Sequence, residues 1–317
     1  VEDSRNDNRD LNLAILGLGK LGGRGMDYGS DLDLVLTFAE IPNSKLQVSS
    51  VKKDKLPPNS ESENPKLGTR NLKLGIFYAR AAEIFVTALS SFTREGNLYR
   101  VDLRLRPDGK NGAVCPPADA FLSYLENRSA VWEWLAYVKL RGVGGNLALA
   151  QKVEVEARRI VHERAEKVSV EELKTETRRV REQLERQKTR NSKETNIKFS
   201  AGGLLDVYFA MRFLQLRDAV FDDDDNRSTL RMLEKLRAND SLDAADFQSF
   251  YQGYEFLNRL DHNLRLTVGR TNRLPMANQA ALAAIVERMR LESVKQLLEQ
   301  LALHRLAVRG AFENVLR

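Results

Sequence analysis

The strongest chemical signal in the sequence is a pair of aspartates, Asp31 and Asp33, at the start of an alternating apolar run that ends at Phe38. Alternation is typical of a strand, so both carboxylates leave the same face of that strand. Neighbouring carboxylates raise each other's pKa unless a cation lies between them. Mg²⁺ takes hard oxygen ligands and often joins a protein to a nucleotide, so the pair predicts a magnesium site. A solvated strand edge is the alternative interpretation.

A glycine-rich segment precedes the aspartates, with glycines at positions 17, 19, 22, 23 and 25. Because glycine has no side chain, it lets a phosphate approach the backbone closely. We therefore predict nucleotide-phosphate contacts from Gly19, Lys20, Gly22 and Gly23. The letters GLGKLG also resemble a dinucleotide fingerprint, but that motif needs a helix directly after the glycines. Here a second strand follows instead, which disfavours a dinucleotide-binding turn.

A third aspartate, Asp102, lies within residues 98–106, where polar and apolar residues alternate again. The alternation predicts a strand that places Arg100, Asp102, Arg104 and Arg106 on one face. Asp102 is then a candidate third metal ligand, and Arg104 and Arg106 can hold triphosphate oxygens with their planar guanidinium groups. The alternative is an exposed edge strand with a self-neutralising charged face.

The composition describes a globular chain of 317 residues, 42% hydrophobic and 30% charged, with room for two domains. A net charge of +6 suits anionic partners such as nucleotides. One cysteine and three histidines disfavour a disulfide framework and a zinc site, and favour a reducing cytoplasm. We see no apolar run long enough for a membrane span, and the polar opening suggests a fragment of a longer chain.

The patterns predict an α+β fold with a catalytic core at 1–117 and a helical domain at 118–317. In the helical domain, Gly202 and Gly203 start a helix, where they offer free amides to a phosphate or simply form an ordinary turn. The predicted elements are strands at 12–17, 31–38 and 98–106, a helix at 72–92, a flexible loop at 41–70, a charged helical arm or hairpin at 148–190, and bundle helices at 228–266 and 277–317.

Five segments of the sequence resemble one catalytic half of bacterial glutamine synthetase adenylyltransferase, the family of bifunctional adenylyltransferase and adenylyl-removing enzymes. They are GLGKLGGRGMDYGSDLDLVLTF, LYRVDLRLRPDGKNG, VWEWLAYVKLR, IKFSAGGLLDVYF and YEFLNRLDHNLRLTVGRTNRLP. The resemblance covers nearly the whole chain. It implies a DNA polymerase β-like nucleotidyltransferase domain with a small mixed sheet, followed by a helical bundle.

The resemblance also implies the site residues and the reaction. Gly29 and Ser30, with Asp31 and Asp33, match the family's GSDxD signature, and Asp102 matches the aspartate of its VDxRLRP signature. All three aspartates are then expected to bind two Mg²⁺ ions for transfer of AMP from ATP to a tyrosine hydroxyl of glutamine synthetase. The expected partners are glutamine synthetase and a nitrogen-regulatory signal protein, in the cytoplasm, with no nucleic acid or membrane.

One position departs from the family pattern, because Tyr208 stands where the family has a glutamate after the charged arm. The letters GGLLD and GSDLD favour the adenylylating half, whereas AGG at 201–203 favours the half that removes AMP by phosphorolysis. Removal of AMP from adenylylated glutamine synthetase is therefore the first alternative. A regulatory domain that binds nucleotide with little turnover is the second, and Tyr208 is the reason to consider it.

Overall fold

The two apolar runs that flank the glycines form adjacent antiparallel strands, β1 at Leu13–Gly17 and β2 at Leu32–Phe38. This arrangement is seen in a computed structural model that describes residues 12–23, 25–39, 65–189, 195–222 and 226–317, with the backbone alone at 65–71. Antiparallel pairing needs only a short connection, and the glycine-rich segment supplies it.

Two further strands complete a four-stranded mixed sheet. β3, Val101–Asp102, runs parallel to β2, and β4, Arg141–Gly145, runs antiparallel to β1. The strand order is β3-β2-β1-β4, so the small mixed sheet and the α+β class are confirmed. The sequence analysis missed β4, because its letters RGVGG lack the apolar alternation that marks a strand. The fourth strand follows residue 117, and the predicted division of domains there stays a prediction.

The prediction of a strand over 98–106 is wrong, since β3 contains only two residues. The Asp102 carboxylate accepts a hydrogen bond from the backbone N–H of Arg104 (2.9 Å), and this local turn takes a donor that a longer strand would give to a neighbour. The chain turns again where Arg106 N–H donates to the Leu103 carbonyl (3.2 Å). The four polar residues therefore do not share the face of one strand.

Helices make up most of the remaining chain. The predicted helix at 72–92 is confirmed, but it begins at residue 65, so the end of the loop predicted at 41–70 is helical, while residues 40–64 lie outside the described residues. The bundle segments at 228–266 and 277–317 each form two helices. The helices are α1 Gly19–Gly22, α2 Pro65–Ser90, α3 Ala118–Asn127, α4 Val131–Tyr137, α5 Leu147–Glu166, α6 Val170–Thr189, α7 Leu204–Arg217, α8 Thr229–Ala238, α9 Ala244–Val268, α10 Gln279–Arg288 and α11 Val294–Val315.

The charged segment at 148–190 forms a helical hairpin of α5 and α6, which was one of its two predicted forms. It is not a solvent-exposed arm, because Leu173, Thr177 and Arg181 on α6 are buried. α6 packs against α4 and α7. One face of this highly charged helix is therefore part of the core, although the composition of the segment indicates an exposed one.

The sheet lies between two apolar clusters. Ala14, Leu16 and Val35 face the large cluster that most of the helices build. Leu13 and Leu36 face a small cluster that α2 covers. Because both faces of the sheet are packed, the charged ends of β2 and β3 are carried by a rigid element that can fix the positions of their side chains.

Within the described ranges, none of the helices has both the length and the apolar character needed to cross a membrane.

Candidate active site

The three predicted aspartates lie in the region where β2 and β3 run side by side. Asp33 is the register partner of Asp102 on the parallel strand, and Asp31 lies two residues before Asp33. Burial raises the pKa of Asp33, and the charges of Asp102 and Asp31 raise it further, while Lys198 and Arg212 oppose the rise. Carboxylates that raise one another's pKa bind a cation readily, since a cation removes the repulsion.

Arg104 forms an ion pair with the Asp102 carboxylate. Its Nε lies 3.0 Å from Oδ1 and 2.8 Å from Oδ2 of Asp102. Burial alone would raise the pKa of Asp102, but the hydrogen bonds and charge of Arg104 hold that pKa below its usual value. In the part of the chain that the structure describes, no group of three His, Cys, Asp or Glu side chains is arranged to hold a metal. The donors fit Mg²⁺ chemically, and Arg104 must release Asp102 for all three to bind one cluster of ions.

Gly19 allows the glycine segment to approach Asp33. Its φ of +55° lies in the left-handed region, and a Cβ on Gly19 would come within 2.2 Å of the Asp33 carboxylate. The neighbouring Leu18 N–H donates to the Asp33 carbonyl (2.9 Å). The predicted proximity of the glycines to the aspartates is therefore present in the structure, and only glycine fits at position 19.

The turn that carries Gly29 and Ser30 is held by an ion network. The Lys20 ammonium contacts the carboxylate of Asp27 and lies 3.2 Å from Oδ2 of Asp261. Asp27 N–H donates to Ser30 Oγ (3.1 Å), which closes the turn. Lys20 was predicted to contact phosphates, and the structure shows it between two carboxylates beside the site.

Helix α9 supplies anchors that sequence reasoning missed. Asp261 is fully buried and accepts hydrogen bonds from Arg265 Nε (3.0 Å) and Asn272 Nδ2 (2.9 Å). Just after the end of α9, Arg270 Nη1 lies 3.6 Å from Oδ1 of Asp31. The i, i+4 spacing of Asp261 and Arg265 within the segment LNRLDHNLR was the available signal.

Arg106 does not join Arg104 at the carboxylates. Its guanidinium donates to the backbone carbonyls of Leu103 (2.9 Å), Gly112 (3.2 Å) and Lys110 (3.2 Å). These bonds close the loop that follows β3. Arg106 therefore acts in the structure as a loop anchor, and Arg104 is the arginine of that segment that contacts the carboxylates.

The Gly202-Gly203 turn is an ordinary turn closed by protein groups. Gly202 N–H donates to Oδ2 of Asp206 (2.7 Å), and Gly203 N–H donates to the Ser200 carbonyl (2.9 Å). A Cβ on Gly202, whose φ is +70°, would lie 2.0 Å from the Arg305 carbonyl. Of the two interpretations of this turn, the phosphate-binding one is wrong, because these amides are already used.

A cavity of about 220 Å³ opens beside Asp33, between the glycine segment and the helices α7 and α9. We call it the cationic pocket, since four of its five charged lining residues are basic: Lys20, Asp33, Lys139, Lys198 and Arg212. The sequence analysis did not select Lys139, Lys198 or Arg212 as site residues, although Lys139 and Lys198 lie in segments that resemble the family.

Tyr208 lines the same pocket, on the face of α7 that turns toward Asp33. Its ring packs edge-on against Tyr254 at a centroid distance of 5.9 Å, and the Arg212 guanidinium lies 5.9 Å from its centroid. Burial, with the neighbouring Tyr254, raises the pKa of the Tyr208 hydroxyl well above its usual value. Tyr208 therefore supplies a neutral wall at the position where the resemblance implies a glutamate.

Two protein-family models match successive parts of the chain, the first ending within α5 and the second beginning within α6. A family model described as glutamate-ammonia ligase adenylyltransferase matches residues 2–55 and 57–156. A second, described as GlnD PII-uridylyltransferase, matches residues 173–316. The carboxylates and glycines lie in the first match, whereas Lys198, Arg212 and Tyr208 lie in the second.

Several curated proteins are similar to this chain, and each is named bifunctional glutamine synthetase adenylyltransferase/adenylyl-removing enzyme. The protein of Idiomarina loihiensis is 29% identical over 80% of the chain and 24% of its own length. The protein of Thioalkalivibrio sulfidiphilus is 32% identical over 80% of the chain and 24% of its own length. The protein of Alteromonas mediterranea is 25% identical over 98% of the chain and 29% of its own length. The chain thus spans about a quarter of these relatives, and the resemblance stated from the sequence is confirmed.

Proposed function

We propose that this chain, a relative of the glutamine synthetase adenylyltransferase family, is a polymerase β-like nucleotidyltransferase unit that uses Mg²⁺ and transfers AMP from ATP to a tyrosine hydroxyl of glutamine synthetase. One observation supports this most directly: Asp33 and Asp102 are partners on parallel strands, with Asp31 two residues away and Gly19 against the carboxylate of Asp33. By the family relation, a nitrogen-regulatory signal protein is proposed as a partner.

The reaction is an in-line displacement at the α-phosphorus of ATP. The tyrosine oxygen forms a bond to that phosphorus, the bond to the bridging oxygen of pyrophosphate breaks, and the hydroxyl proton leaves to solvent or base. Bound Mg²⁺ supplies a lowered pKa for the attacking oxygen and charge neutralisation for the leaving phosphates. Asp31, Asp33 and Asp102 would hold the metal, and Gly19 keeps side-chain bulk away from Asp33.

Phosphorolytic removal of AMP from adenylylated glutamine synthetase is the first alternative. Orthophosphate would attack the α-phosphorus of the AMP–tyrosine bond and release ADP, which needs the same carboxylates. The letters GGLLD and GSDLD favour transfer, so we propose adenylylation. A nucleotide-binding domain with little turnover is a second alternative, which the neutral Tyr208 beside Asp33 favours.

The test offers both reactions to the purified chain. One mixture contains unmodified glutamine synthetase, Mg²⁺ and α-labelled ATP, and the other contains AMP-modified glutamine synthetase, Mg²⁺ and orthophosphate. Label on the synthetase supports the proposal, and ADP release in the second mixture alone supports the alternative. If neither reaction occurs with a synthetase known to be competent, the result supports a nucleotide-binding domain with little turnover.

The variant Asp33→Asn tests the carboxylates. We expect transfer to fall by at least about 10³-fold, equivalent to about 4 kcal/mol of barrier, because a metal supplies several kcal/mol of charge stabilisation. Asp119→Asn, an exposed aspartate in the first turn of α3, is the matched control and should keep wild-type activity. Wild-type transfer by Asp33→Asn would contradict the metal assignment.

A further inference from the structure

Three basic side chains of the cationic pocket have no opposite charge in contact. Lys139, Lys198 and Arg212 form no ion pair within 4 Å with a carboxylate of the residues that the structure describes. Lys139 is 94% buried, and Nε of Arg212 is buried without a hydrogen-bond partner there. Buried charge without a partner is costly, so an arrangement of this kind points to an anion that completes it.

The local backbone is built to admit these cations. A Cβ on Gly23 would lie 2.4 Å from the Lys139 ammonium, and a Cβ on Gly22 would lie 2.3 Å from the Lys139 carbonyl. The two glycines therefore make room for Lys139 at the pocket wall. Ser228 and Thr229, at the N-terminal end of α8, also line the pocket, where the positive end of the helix dipole favours negative charge.

The size of the pocket restricts the ligand. Its volume of about 220 Å³ is below the roughly 300 Å³ at which pockets for whole drug-sized ligands begin. A nucleoside with its phosphates does not fit inside, whereas one phosphate group or a short phosphate chain does. Asp33 lies at the wall, so a phosphate held in the pocket is next to the carboxylates.

We propose that the cationic pocket is a phosphate-chain subsite in which Lys139, Lys198 and Arg212 hold orthophosphate, pyrophosphate or the terminal phosphates of a nucleotide. Two of these residues, Lys198 and Arg212, come from the region of the chain that follows α6 and not from the sheet. The proposal deepens the proposed function and rests on it, since the phosphate chain is the part of ATP that leaves during AMP transfer.

Isothermal titration calorimetry in metal-free buffer with EDTA tests the subsite apart from the carboxylate chemistry. The probes are orthophosphate, pyrophosphate and tripolyphosphate, each titrated into the wild-type chain, Arg212→Gln, Lys139→Met and Arg217→Gln. Arg217 lies on the same helix as Arg212 but pairs with Asp218 outside the pocket, so Arg217→Gln is the matched control.

We expect at least one probe to bind the wild type and the control alike, with affinity reduced at least about tenfold in Arg212→Gln and Lys139→Met, because charge-assisted hydrogen bonds are lost. Preference for orthophosphate identifies a phosphorolysis co-substrate, and preference for the longer chains identifies the tail of ATP. Circular dichroism melting shows that the variants are folded. Lys139→Met removes a buried charge and should melt no earlier than the wild type.

The outcomes separate the subsite from the proposed function. No binding of any probe at millimolar concentration, or an equal loss in Arg217→Gln, overturns the subsite. If a probe binds with the expected variant pattern while AMP transfer fails, the subsite stands and the proposed reaction falls. If AMP transfer occurs and Arg212→Gln transfers at the wild-type rate without probe binding, the reaction stands and the subsite falls.

Discussion

Two regions of the helical part of this protein bury several charges, and they do so in opposite ways. In the first, which we call the balanced cluster, Arg181, Glu185, Asp206 and Arg309 join α6, α7 and α11. The Arg181 guanidinium contacts the carboxylate of Asp206, and its Nη1 lies 3.2 Å from Oε2 of Glu185. Arg309 Nη1 lies 3.4 Å from Oδ2 of Asp206. The second is the cationic pocket, where Lys139, Lys198 and Arg212 have no carboxylate of the described residues within 4 Å, and where Asp33 also lines the wall.

The comparison shows how structural charge differs from functional charge in one fold. In the balanced cluster, two acids meet two bases, and Arg181 Nη2 also donates to the Ser200 carbonyl (3.1 Å). In the cationic pocket, burial and the nearby charge of Arg212 together lower the pKa of Lys139 to about 8, against the opposing charge of Asp222. A fold stabilised by the first region can tolerate the unfavourable charge of the second, and a ligand can then remove that cost.

The largest effect on stability is expected from Asp206→Ala. It leaves Arg181 buried without its main partner, which costs about 3–5 kcal/mol of the free energy of unfolding. Asp218→Ala at the end of the same helix removes a partly exposed pair and should cost about 1 kcal/mol or less. Urea unfolding followed by circular dichroism measures both. Equal costs for the two variants would show that the balanced cluster contributes little.

Lys139→Met should act in the opposite direction. The lowered pKa of Lys139 shows that the folded state disfavours its charge, so replacement by an apolar side chain of similar length should raise the free energy of unfolding at pH 7 by roughly 1–3 kcal/mol. The same variant should lose phosphate binding. A destabilised Lys139→Met would mean that Lys139 belongs to a paired cluster like that of Arg181.

The gain from Lys139→Met should depend on pH. The folded pKa of Lys139, about 8, is lower than its usual 10.5, with burial as the first cause, Arg212 as the second and Asp222 opposing them. The penalty in the wild type is complete below about pH 8 and disappears as the pH rises toward 10.5, because the folded state loses this proton first. Unfolding at pH 7 and pH 9.5 should therefore show a smaller difference between the variant and the wild type at pH 9.5. A constant difference would contradict the assigned cause.

The smallest effect is expected from Arg159→Gln on α5. Arg159 contacts Glu156 and Glu163 on its own exposed helix face, and solvent screens such pairs. Its urea midpoint should stay within experimental error of the wild type, although this residue makes as many ion pairs as Arg181. A clear shift would mean that the number of ion pairs, and not their burial, separates the regions.

Local pattern was sufficient for much of the fold. Alternation at 31–38 and helical spacing at 72–92 predicted β2 and most of α2 correctly, because side-chain periodicity reports which face is buried. Alternation at 98–106 was misleading, since the Asp102 side chain bonds to Arg104 N–H and ends the strand after two residues. β4 gave no signal, because three of its five residues are glycine.

By itself, the sequence determined the family resemblance, the α+β class, and the closeness of Asp31, Asp33 and the glycine segment, all of which depend on neighbours along the chain. Only the tertiary structure decided which charges are shared between distant segments. In the folded chain, Asp102 lies opposite Asp33, and Asp206 forms an ion pair with Arg181. The same fold brings Lys139, Lys198 and Arg212 to the wall of one cavity. The physical reason is that charge balance in a buried site depends on distance and desolvation in space, which spacing along the chain does not encode.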